Sequence, residues 1–63
     1  MKSADWTEWR RHLGINNAEA ARRLGISKNM PAAYESGSSD IPTYIALACA
    51  ALAYGLPPWR KAA

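Results

Sequence analysis

Between Leu24 and Lys28 only Gly25, Ile26 and Ser27 separate two short apolar-periodic segments, and no other feature of this chain constrains its fold as tightly. The upstream segment is Asn16-Asn-Ala-Glu-Ala-Ala-Arg-Arg-Leu-Gly25. Asn16 lies three residues ahead of Glu19, close to a capping box with Asn in place of Ser or Thr. Asn17, Ala20, Ala21 and Leu24 mark its inward side, Arg22 and Arg23 suit the negative end of the helix dipole, and Gly25 ends it. The downstream segment reads as a helix from Lys28 to Glu35 with Ser27 as its cap. Two helices joined by so short a turn must cross steeply. Ala20, Ala21 and Gly25 supply the small residues such a contact needs, and Ile15, Leu24, Ile26, Met30 and Tyr34 close over a shared core.

Two more helices frame this pair. In Asp5 to Leu13 the cap is Asp5 or Ser3, Glu8 lies in the first turn, and Arg10 and Arg11 lie late. Gly14 is the stop, and Trp6, Trp9 and Leu13 form one apolar stripe. After the turn Ser36–Asp40, Pro42 is expected at the first position of an Ala-rich helix, where its missing N–H is harmless. Ile41, Tyr44, Ile45, Ala48, Cys49 and Leu52 keep helical spacing along it, and Gly55 is the stop. Pro57 and Pro58 block continuation. Trp59 is expected to fold back on the core, with residues 57–63 as a tail.

Thirteen of the 31 apolar residues are Ala, and Phe and Val are absent, which excludes a β-sandwich. The expectation is one all-α domain over residues 1–63, of four to five short helices, with residues 16–37 as a helix-turn-helix. With a single Cys49 there is no internal disulfide and no multi-Cys zinc site; His12 has no ligand at metal spacing. No metal, cofactor or small-molecule ligand is expected, and no catalytic motif suggests an enzyme. The charge-free run Ile41–Leu56 is sixteen residues, short of the roughly 20 of a membrane span. Without a signal-peptide layout, the expected location is the cytoplasm. A net charge of +3 permits an anionic partner.

The stretch Leu13-Gly-Ile-Asn-Asn-Ala-Glu-Ala-Ala-Arg-Arg-Leu-Gly-Ile-Ser-Lys-Asn-Met-Pro-Ala-Ala-Tyr-Glu-Ser-Gly37 resembles the lambda-repressor-like (Cro/repressor, XRE-type) DNA-binding domains. The likeness continues through Ile41-Pro42 and covers roughly residues 6–56. In size and general composition the chain is also similar to small phage anti-CRISPR-associated repressors. Ala21 and Gly25 match the family's small-residue sites, Asn16 and Glu19 the start of its positioning helix, and Tyr34, Glu35 and Gly37 the end of its recognition helix. The resemblance implies a partly buried Arg10–Glu35 bridge, the alternative being two exposed charges. Removing one partner of a buried pair costs ~3–5 kcal/mol. Pro31 departs from the family, which has Val or Ile pointing into the core there. Either the first turn distorts, or the helix starts later with Asn29 as its cap, which is less strained.

The resemblance implies a sequence-specific transcriptional regulator, a homodimeric repressor of a phage or bacterium acting on double-stranded DNA in the host cytoplasm. Its inverted-repeat operator would have half-sites ~34 Å apart. Base contacts fall to Lys28, Asn29 and Met30, with Ala32 and Ala33 on the next turn. Asn29 suits adenine, Lys28 guanine or a phosphate, and the Ala methyls thymine. The alternatives are a cap role for Asn29 and a solvated Lys28. Phosphates would be met by Asn16 and Asn17 with the free backbone N–H groups around them, by Arg11, and then by Ser27, Ser36 and Ser38. Arg11, Arg22, Arg23, Arg60 and Lys61 supply positive potential. Tyr54, Leu56 and Trp59 are the expected dimer surface, unless Trp59 plugs the monomer core beside Trp6 or Trp9. An antitoxin or a protein-interaction module with the same fold are the rival functions.

Overall fold

A computed structural model of the chain describes residues 1–61. Over them run α1 (Ser3–Leu13), α2 (Asn17–Leu24), α3 (Met30–Ser36) and α4 (Thr43–Ala53), with no strand among the described residues. Helices α3 and α4 each pack against both α1 and α2. No helix among the described residues is long and apolar enough to cross a membrane.

Trp6 organises the interior. It is fully buried, with its ring 5.0 Å from Trp9 and 5.3 Å from Tyr34, tilted against both. Such tilted pairs add to the burial of area itself. One indole thereby joins α1 to α3; the next joins α1 to α4, because Trp9 Nε1 donates to the Cys49 carbonyl at 2.8 Å. Ile15, Ala20, Ala21, Ile45 and Cys49 complete the buried centre, and Leu13, Leu24, Ile26, Ile41 and Leu52 pack partly buried around it.

The turn after α2 is closed by backbone geometry. Gly25 takes the left-handed conformation (φ +70°) and donates to the Arg22 carbonyl, while the Ile26 N–H reaches back to Ala21 at 3.1 Å. This paired closure satisfies two carbonyls that the helix end would otherwise leave open. Asn16 to Glu35 is thus a broken element, not a continuous rod. At the other end of α3, Gly37 (φ +82°) lies so near α1 that a Cβ there would sit 3.1 Å from Ser3 Oγ.

Several expectations are corrected. Lys2, not Ser3 or Asp5, is the N-cap of α1; Asp5 sits inside the first turn and its carboxylate accepts the Lys2 N–H at 2.9 Å. Of the two starts open to α3, Lys28 gives way to the later, less strained one: the helix begins at Met30, with Asn29 in the cap position and Pro31 in the first turn, where a missing N–H breaks no bond. Pro31 is fully buried and fills the core position itself. Pro42 lies one residue outside α4; its extended backbone turns its carbonyl toward the Ile45 and Ala46 N–H groups. Tyr44 faces outward, 70% exposed, because α1 and α2 reach only the Ile45–Cys49–Leu52 side of α4. Trp59 does not return to the core and is 92% exposed. Two consecutive prolines with locked φ angles stiffen the tail, and Trp6 already occupies the centre.

Candidate nucleic-acid interface

Of the residues expected at base edges, Lys28, Asn29 and Ala32 are exposed, while Ala33 is half-buried. Met30 is turned the other way: it packs against the hydrophobic core, which removes it from the candidate edge. Starting α3 at Met30 produces this division. It leaves Lys28 and Asn29 in the turn that leads into the helix, where the Met30 N–H bonds the Ser27 carbonyl at 3.0 Å. Asn29 makes no side-chain cap bond, so its amide stays free for another partner.

Asn16 is half committed. Its Oδ1 accepts the Glu19 N–H at 2.8 Å, capping α2, which leaves the amide N–H groups to donate outward. Asn17 is half-buried, and its Oδ1 is enclosed without a hydrogen-bond partner among the described residues. The serines are occupied locally. Ser27 Oγ accepts the Asn29 N–H at 3.4 Å, and the Ser36 and Ser38 hydroxyls both donate to the Ala33 carbonyl. These contacts hold the turns on either side of α3 in shape and leave the hydroxyls exposed.

The positive potential is narrower than the basic residues suggest. Glu19 takes Arg22 in a two-point contact, Nε and Nη2 each at 2.6 Å from a carboxylate oxygen, and Arg23 Nε lies 3.3 Å away. The Arg22 hydrogen bonds, with a smaller contribution from Arg23, hold the Glu19 carboxyl well below its ordinary range, at about 2. The i,i+3 and i,i+4 spacing of these charges carried that signal in the sequence. Arg11, in the last turn of α1, and Lys28, at the entrance to α3, are exposed cations outside this cluster.

Arg10 locks the edge in place. Its Nη2 lies 2.9 Å from Glu35 Oε1, its Nε also donates to that oxygen, and Nη1 bonds the Ile15 carbonyl at 3.2 Å. One guanidinium thus ties α1 to the approach to α2 and to the end of α3. The side chains are 23% and 36% exposed, so water screens the pair and the deep-burial figure does not apply. A loss of ~1–2 kcal/mol on removing Arg10 lies between the surface and buried limits.

No protein family, curated protein or solved structure matches this chain. Its candidate site therefore stands on its own geometry. Tyr34 anchors α3 from beneath, and burial pushes its phenol pKa up, so it is a neutral packing group. Burial likewise raises the Cys49 thiol to about 11, which leaves it protonated and unreactive on the far side of the core. The Ile15 carbonyl is the contributor that sequence reasoning missed: a backbone acceptor has no residue-type signature.

Proposed function

We propose that the chain is a lambda-repressor-like helix-turn-helix protein that binds a specific double-stranded DNA operator, as a homodimeric transcriptional repressor of a phage or bacterium. The observation that carries this reading is the outward edge of Lys28, Asn29 and Ala32. Ala32 lies on α3 and Lys28 and Asn29 in the turn that enters it, and α3 is braced from behind by Tyr34 and from its end by Arg10. An amide, an amine and a methyl on one accessible edge fit the donors, acceptors and methyls of a major groove. Asn16 and Arg11, both exposed, are candidate phosphate contacts, as are Ser27, Ser36 and Ser38. Tyr54, Leu56 and Trp59 belong to the dimer side of the molecule.

Selection of bound duplexes from a random pool, followed by a salt titration on the winning site, tests the reading. An inverted repeat with a steep fall of log K against log salt is expected. Asn29→Ala should relax preference at one base position of each half-site, by ~1–3 kcal/mol. A flat salt response with no sequence preference would overturn it.

One observation favours a second reading, an antitoxin or other protein-interaction module. The α3 edge offers a single cation, and Glu19 ties down both Arg22 and Arg23. Specific capture of a protein with no DNA retention would favour that alternative.

A further inference from the structure

Helix α4 carries no charged residue, yet only Ile45 and Cys49 of its eleven are buried. A helix that is apolar all round is normally enclosed. Here Tyr44, Leu47 and Tyr54 face outward on one side at 70%, 66% and 83% exposure. Beside them, between the end of α2 and the flank of α4, lies a groove of about 800 Å³. Leu24, Ala48, Ala51 and Leu52 form its floor, Arg23 stands on its rim, and the Leu56–Arg60 tail closes the far side. Trp59 is part of that far wall and is almost wholly exposed.

We propose that two copies of this chain join on the α4 side by exchanging tails, with Trp59 of the partner subunit seated in the groove between α2 and α4, and the reverse. Two arguments select a second copy over any other occupant. The first is self-complementarity: one face presents both a projecting indole and an apolar recess, as a two-fold contact requires. The second is area. Large aromatic side chains bury about 150–250 Å² each. Tyr44, Tyr54 and Trp59 therefore offer on the order of 500 Å² of the ~800 Å² per partner of an ordinary stable interface. Leu47, Leu56 and the groove alanines supply the remainder.

The proposal deepens the dimer part of the proposed function and rests on it, but it is independent of whether α3 reads DNA. Its test uses no DNA. Sedimentation of the full chain should show a monomer–dimer equilibrium, with Trp59→Ala weakening the dimer at least about 30-fold, as expected of an aromatic anchor. Ala51→Trp, which fills the recess and leaves Trp59 intact, should weaken it comparably. The decisive arm mixes the two variants at a concentration where each alone is monomeric. The mixture should form a heterodimer, because the open recess of one, its α2–α4 floor unaltered, then receives the intact Trp59 of the other. Trp6 and Trp9 are buried, so the red edge of the fluorescence reports Trp59 and should shift to the blue as the parent chain is concentrated. This readout stands even if Ala51→Trp misfolds. A parent chain that stays monomeric overturns both the dimer and the exchange. A dimer that survives Trp59→Ala unchanged, or a mixture with no heterodimer, overturns the exchange alone.

Discussion

Helices α2 and α4 rest on the same core and meet solvent in opposite ways. The eight residues of α2 are capped at both ends, by Asn16 and by the left-handed Gly25, and their outward surface is a charge cluster of Glu19, Arg22 and Arg23. The eleven of α4 have no side-chain cap and present tyrosine and leucine to water. An outward surface of charge and amide is stable in solvent. An outward surface of exposed aromatics leaves a contiguous apolar area in water. The molecule thus separates a polar edge around α2 and α3 from an apolar side on α4, with Trp6 and Trp9 between them.

The largest expected effect contrasts the two sides of α4. Ile45→Ala should cost about 2–5 kcal/mol, the range for truncating a buried aliphatic, whereas Leu47→Ala should change monomer stability by no more than ~0.5 kcal/mol. Urea unfolding of dilute protein would measure both; equal losses would mean that α4 is enclosed on all sides and would erase the contrast. Next comes the brace on the polar edge. Arg10→Met is expected to lower stability by ~1–2 kcal/mol, read in the same titration. A loss above ~3 kcal/mol would show the pair to be shielded from water.

Asn16→Ala removes the cap of α2 and should cost about 1 kcal/mol, whereas Thr43→Ala, at an end with no side-chain cap, should cost less than half as much. The smallest effect concerns pH. Glu19 in the folded chain titrates at about 2 against an ordinary 4.5, so its contribution is present above pH 4.5 and lost as pH falls toward 2. The carboxylate meets solvent, so the change is modest. Thermal melts of the parent and Glu19→Gln should converge across that window. Parallel curves would sever α2's stability from its charge cluster.

Much of α1 to α3 was legible because short-range signals agreed there. Trp6, Trp9 and Leu13 kept a helical stripe, Gly14, Gly25 and Gly37 marked helix ends, and Ala20 and Ala21 sat where two helices must touch. The first turn of α3 was harder, since Ser27 and Asn29 are both good caps; the strain Pro31 would carry inside a helix begun at Lys28 favours Asn29, and α3 does start at Met30. Met30 was placed at the candidate edge and in the core by two separate lines of reasoning, and a shift in the helix start decided for the core. Periodicity failed along α4. When every position is apolar, spacing cannot tell Tyr44 from Ile45.

The order of local events, helix after helix with glycine at each break and an acid–amide start to α2, is written in the residues themselves, because caps and left-handed turns depend on a few neighbouring side chains. Which way α4 turns its tyrosines, where Trp59 comes to rest, and that Arg10 reaches both Glu35 and the Ile15 carbonyl were decided only when the helices packed. Those outcomes depend on volume already occupied by distant residues, Trp6 above all, and no local pattern encodes that.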